Sequence, residues 1–291
     1  MSQRRACTTI GQPRSTQRYE PTRKEDEVEL VKAMLEKARR HPRYGYRLVW
    51  GLLKLDGWRV NRKRVYRLWR KEGLKVPVRR RKRRRLGHSA NGCARRRAEH
   101  KDDVWAWDFI HDRTEDGRPL KWLSIVDEYT RECLALEAAR SITSSDVIDV
   151  VMNLFCTRGV PGHIRSDNGP EFIAEALREW LGWTPAETLY VEPGSPWENG
   201  YAEAFHSRLR DEFLNVELFS TVREAKVLGG MWMIDYNERR PHGSLGYRTP
   251  AEYAQGCPPA PRACVASGSG SLRLQQHTRS KERSTLITPG T

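Results

Sequence analysis

The sequence predicts an α/β body with a mixed five-stranded sheet flanked by helices, preceded by an all-α, strongly basic region. Three observations carry this. From Asp103 onward, short runs rich in Val, Ile, Leu and Trp are followed by alternating amphipathic and strand-like runs. Before that point the apolar residues recur at helical spacing. Charge divides the chain at the same place: residues 1–100 hold 31 Lys/Arg against 9 Asp/Glu, whereas residues 101–291 hold 21 against 28. A basic arm on a body of different character suits a polyanionic partner, and nucleic acid fits better than a merely solvated surface.

The elements follow in order. "RRACTTIGQPRSTQRY" reads as two short helices. From Glu25 to Arg40, Val28, Val31, Met34, Leu35 and Ala38 mark a helix that His41-Pro42 ends. Leu48, Val49, Leu52 and Leu53 give the next helix one apolar face, and Asp56-Gly57 stops it. Asn61 suits the N-cap of a further helix running to about Glu72. That helix buries Val65, Leu68 and Trp69, and turns Arg62, Lys63, Arg64, Arg67 and Arg70 outward. Two helices joined by a short turn, the second studded with cations, form a helix-turn-helix-like pair suited to DNA. An ordinary helical hairpin with a solvated basic face would look the same in sequence. Arg79, Arg80, Arg81, Lys82, Arg83, Arg84 and Arg85 then run consecutively, as an exposed linker suited to phosphate contact without sequence reading.

In the body, "VWAWDFI", "LKWLSIVDEYT" and "ECLALEAA" fit a meander of three antiparallel strands. A helix over "SSDVIDVVMNLFCTRG", a strand in "GHIRSDNG", a helix over "PEFIAEALREWLG", a strand in "TLYVEP" and a longer helix from Trp197 to Leu214 complete the sheet and its flanks. Helical sequence continues to "DYNERRPHGSLGYRTPAEYA". The expected organisation is a helical DNA-binding region over 1–78, a basic linker over 79–99, a catalytic body over 100–255 and a disordered tail over 256–291.

Other functions are disfavoured. No apolar run approaches the ~20 residues that span a bilayer, and the N-terminus lacks the apolar centre of a secretory signal. The expectation is a cytoplasmic protein with no membrane partner. The six cysteines form no C-x-x-C pair, which argues against structural zinc and for free thiols.

Carboxylates are the candidate chemistry. Phosphoryl transfer assisted by divalent cations needs acids from distant parts of the chain that converge in space. Asp108 interrupts an aromatic, apolar strand, a costly position without a partner or a task. Asp167 precedes Asn168-Gly169, where, taken alone, it reads as a simple turn residue. "GSPWENGYAEAFHSRLRDEFL" offers both Glu198 and Glu203 as a third acid. Fifty-eight residues separate Asp108 from Asp167, and Asp167 is followed after 35 residues by Glu203 or after 30 by Glu198. Asp127 reads as the end of the second strand, Glu171 as a first-turn helix acid, and His242 as a packing residue more than a substrate contact.

At this point the chain resembles the DDE transposases and integrases, whose second acid and glutamate stand 35 residues apart. "HPRYGYRLVWGLLKLDGWRVNRKRVYRLWRKEGL", "SDNGPEF", "SPWENGYAEAFHSRLRDE" and "YNERRPHGSLGYRTPAEY" together resemble the second reading frame of bacterial insertion sequences of the family numbered three, over roughly residues 4–255. The resemblance implies a ribonuclease-H-like core with Asp108, Asp167 and Glu203 as catalytic, metal-binding triad. It implies two Mg²⁺ or Mn²⁺ ions, and Arg210, seven residues after Glu203, on DNA phosphate. Glu198, with Phe205 seven residues on, falls to a helix-start role. The implied activity is strand cleavage and transfer at element ends. The implied partners are double-stranded DNA (terminal inverted repeats and target), further copies of the chain, and the product of an upstream reading frame. Two rivals use the same features: a non-catalytic DNA-binding protein from a decayed element, and a ribonuclease-H-type nuclease.

Overall fold

A computed structural model describes residues 2–19, 24–76, 96–166, 175–190 and 200–258. The basic run Arg79–Arg85, Asp167, Glu171, Glu198 and nearly all of the expected tail lie outside them.

The N-terminal region begins with α1 (Gln3–Thr9) and α2 (Arg14–Gln17). A three-helix bundle follows: α3 (Glu27–Arg40), α4 (Tyr46–Leu55) and α5 (Arg62–Lys71). Gly57 adopts φ +89° just past α4, which only glycine does without strain. The Asn61 side chain accepts the Lys63 N–H at 2.9 Å, so it caps α5 as expected. Leu30, Met34, Val49, Leu53, Val65 and Leu68 form the core of the bundle. The α3 face differs from the expected one: Leu30 is buried while Val28 is 79% exposed.

The body is a five-stranded sheet of order β3-β2-β1-β4-β5. β1 (Val104–Arg113), β2 (Pro119–Asp127) and β3 (Cys133–Ala139) form the expected antiparallel meander. β4 (His163–Ser166) and β5 (Glu187–Tyr190) add parallel to β1 and to each other. This is the mixed five-stranded sheet expected of a ribonuclease-H-like core. α6 (Ser144–Arg158), started by a Thr143–Asp146 capping box, and α7 (Glu175–Gly182) contribute to one core, with Trp105, Trp107, Leu123 and Ile125.

The opposite face is covered by α8 (Gly200–Leu209), a π-helical turn over Arg210–Leu214, and α9 (Val222–Glu238). Its core holds Ile110, Trp122, Val126, Phe205, Phe213 and Tyr236. Strand alternation therefore turns Trp105 and Trp107 one way and Ala106, Asp108 and Ile110 the other. α9 packs close: a Cβ at Gly229 would lie 2.6 Å from the Trp122 ring. Trp122 is fully buried, and truncating it to Ala would cost roughly 3–5 kcal/mol. A 3₁₀ turn (Gly243–Leu245) and α10 (Pro250–Gln255) close the described chain.

The helical region docks on this body through the segment after α9. A Cβ at Gly51 would lie 2.7 Å from Pro241, and the Trp50 and Tyr247 rings meet edge-on at 5.0 Å. Arg43 pairs with Asp211. Arg240, buried, makes a bidentate pair with Glu212 at 2.6 and 2.5 Å, and its guanidinium lies 5.6 Å from the Tyr44 ring.

Candidate active site and nucleic-acid face

Asp108 sits in mid-strand on the α8 side of β1, with Ser124 directly opposite on β2. Its carboxylate accepts the Phe109 N–H at 2.7 Å and keeps 19% of its side chain exposed, so the acid is held but still reachable. The chain answers the cost of that acid with His206 from α8. His206 Nδ1 approaches Asp108 Oδ2 to 3.4 Å, and Nε2 lies 2.8 Å from Ser124 Oγ. Burial, then the charge of Arg210, pulls the imidazole down to about 4, so it is neutral at physiological pH. The tautomer that turns no lone pair on the carboxylate has Nδ1–H facing Asp108 and the Ser124 hydroxyl donating to Nε2.

Glu203 stands one turn before His206, exposed in the first turn of α8, where a carboxylate also complements the helix macrodipole. Residues three and seven positions after Glu203 share its side of the helix. Arg210, at the second of these, opens the π turn, remains exposed, and donates to the His111 carbonyl of β1 at 3.3 Å. The stripe Glu203–His206–Arg210 thus lies along β1, anchored at Asp108 and at His111. His206 and Ser124 were not singled out by sequence reasoning. The available signal was a histidine one helical turn past Glu203.

Asp108 and Glu203 are therefore described; Asp167 is not. Among the described residues no group of three His, Cys, Asp or Glu side chains could hold a metal ion. Asp127 ends β2, as expected, where it accepts the Tyr129 and Asp102 N–H groups at 2.7 and 3.0 Å. Burial raises its carboxyl above the usual range.

The expected cations of α5 divide, with Arg70 exposed. Arg62 and Lys63 are exposed. Arg64 forms a bidentate pair with Asp26 at 2.9 and 2.6 Å, and Arg67 reaches Glu27 at 3.1 Å, which Lys71 also approaches to 3.6 Å. A cavity of about 420 Å³ opens beside the start of α5, between Lys24, Arg59, Lys63, Arg64 and Arg67. Such a surface attracts phosphate through charge and the helix N-terminus.

Comparison with known proteins supplies the family. An integrase core domain matches residues 98–196, a second integrase core model matches residues 185–250, and an HTH-like domain matches residues 23–83. The chain is similar to a 39.2 kDa protein of insertion element IS476 from Xanthomonas euvesicatoria, 35% identical over 254 residues, covering 87% of this chain and 72% of the relative. A 31.7 kDa protein of insertion element IS407 from Burkholderia multivorans is 34% identical over 254 residues, covering 87% and 91%. Transposase InsD of insertion element IS2 from Escherichia coli is 30% identical over 232 residues, covering 73% of each chain. The chain belongs to the insertion-element transposases. In this DNA transposase the integrase core spans β1 to α10, with Asp108 and Glu203 inside it, and the HTH-like match spans α3 to α5.

Proposed function

We propose that this transposase cuts and joins DNA at the ends of its element with Asp108, Asp167 and Glu203 as the catalytic carboxylates. The observation that carries the reading is the contact of His206 with Asp108, because it draws the helix bearing Glu203 against the strand bearing Asp108. Asp167, which lies outside the described residues, is included because it stands in "SDNGPEF" with 35 residues between it and Glu203, the spacing of the transposases this chain resembles.

The donor set suits a hard divalent cation. Carboxylate oxygens are the ligands Mg²⁺ prefers, and Asp108 and Glu203 both retain solvent access. Two Mg²⁺ or Mn²⁺ ions on the triad would supply activation of water or a DNA 3′-hydroxyl and stabilisation of the departing oxygen. The protein's own groups do the rest. His206 and Ser124 orient the Asp108 carboxylate, and Arg210 draws a phosphate along the β1 side of α8. Arg62, Lys63 and Arg67 on α5, with the basic run Arg79–Arg85, hold DNA outside the chemistry. Arg64, tied to Asp26, contributes chiefly to the charge of the α5 cavity. The working form is a homo-oligomer on double-stranded DNA.

The test is a strand-transfer assay in Mg²⁺ with Asp108→Asn and Asp167→Asn. Each substitution should abolish cleavage and joining while leaving binding to end DNA nearly intact. Joined products from either variant would refute the triad, and cuts without joining by the wild type would mark a simple nuclease.

A further inference from the structure

Behind the start of α8 lies a second cavity, of about 240 Å³, lined in part by Arg131, Tyr201, Arg208, Tyr236, His242 and Ser244. None of its lining residues among the described ones is a carboxylate. Glu212 is taken up by its bidentate pair with Arg240. Buried cationic groups are costly unless a counter-charge or hydrogen-bond partner completes them, and the described lining supplies no acid.

Two polar groups are left without a partner in this wall. His242 is 4% exposed, and its ring lies edge-on to Tyr236 at 4.9 Å; its buried Nε2 has no hydrogen-bond partner. The Arg131 guanidinium lies 3.7 Å from the Tyr201 ring centroid, which fixes its plane, and its buried Nη1 is likewise without a partner. Orphaned buried donors are rare in native structures and mark strain or an expected ligand. Arg208 adds a second cation, donating to the Ala204 carbonyl at 2.5 Å. Burial first, and then Arg240, lowers the Arg208 guanidinium, as it does His242 more strongly; a bound anion would relieve both. Gly200 and Tyr201 bring the positive end of α8 to the same cavity.

We propose that this cavity is an anion subsite that takes one backbone phosphate of the DNA strand running past the start of α8. The proposal rests on the transposase reading for its ligand: Gly200 and Tyr201, which line the cavity, open the helix that carries Glu203. Arg131 Nη1 and His242 Nε2–H would donate to the phosphate oxygens, with the Ser244 hydroxyl as a further donor. The site positions the strand relative to the carboxylates and takes no part in bond making.

The experiment uses the full chain and duplexes carrying the element end, each with one neutral methylphosphonate linkage, titrated without divalent ions. Wild-type protein should lose binding about five- to tenfold at one linkage near the cleaved end. Arg131→Asn, which suits the positive φ of 67° at this position, should bind unmodified DNA more weakly by a similar factor. In that variant the methylphosphonate should cause no further loss. Arg131→Lys should restore part of the penalty. A methylphosphonate effect that persists undiminished in Arg131→Asn at every linkage would overturn the subsite. Competition by inorganic phosphate with no linkage effect would make it a free-anion site and would equally overturn it. Failure of the catalytic triad would show in strand transfer, not in this metal-free titration.

Discussion

His206 Nδ1 stands 3.4 Å from Asp108 Oδ2, while its Nε2 meets Ser124 Oγ at 2.8 Å. Ser124 is also the cross-strand neighbour of Asp108, so one imidazole ties β1, β2 and α8 together. His206→Ala should lower strand transfer by roughly 10- to 100-fold, the usual effect of removing a group that orients a metal ligand, the role proposed for Asp108. Ser124→Ala should act in the same direction and less strongly. The combined variant should fall short of the product of the two, because both substitutions break one chain of contacts. Measured rates that multiply would mean that His206 and Ser124 act independently.

Gly51 and Gly230 make opposite predictions from the same change. A Cβ at Gly51 would meet Pro241 at 2.7 Å, whereas one at Gly230 would meet nothing within 4 Å. Gly51→Ala should destabilise by about 1–3 kcal/mol through overpacking between the helical region and the body. Gly230→Ala, in mid-helix, should stabilise by up to about 1 kcal/mol. Denaturant titration with constant m-values checks both.

His242 should shape the acid limb of stability. Burial, followed by Arg240, Arg208 and Arg131, lowers the ring from 6.5 to about 2. The unfolded chain therefore takes up a proton below pH 6.5 that the folded chain refuses, and stability falls as pH drops from about 6.5 towards 2. From pH 7 to 5 this one group should remove about 2 kcal/mol. His242→Phe keeps a ring against Tyr236 and should remove that share of the slope. His206, lowered to about 4, should leave a second component in the variant. An unchanged slope would show that His242 is protonated in the folded chain.

Much of this was legible from the sequence. Asp108 announced itself as an acid in an aromatic strand, Asn61 as a cap, and Asp127 as the end of a strand. These are local signals, and local physics decides them. The losses were all long-range. Arg64 and Arg67 read as free cations on a basic helix, but Asp26 and Glu27, about 40 positions earlier, engage them. Val28 and Leu30 both belong to an apolar run, and only the placement of α4 and α5 selects Leu30 for burial. His206 reads as one polar residue in an amphipathic helix until Ser124 and Asp108 stand beneath it. The π turn after Leu209 carries no composition signal of its own.

The central claim is that Glu203, rather than its neighbour Glu198, completes the carboxylate triad. Strand transfer by Glu203→Gln and Glu198→Gln, compared side by side in Mg²⁺ at matched DNA binding, tests it most directly. Glu203→Gln should give no joined product, and Glu198→Gln near-wild-type product. Product from Glu203→Gln, with loss in Glu198→Gln, would contradict it.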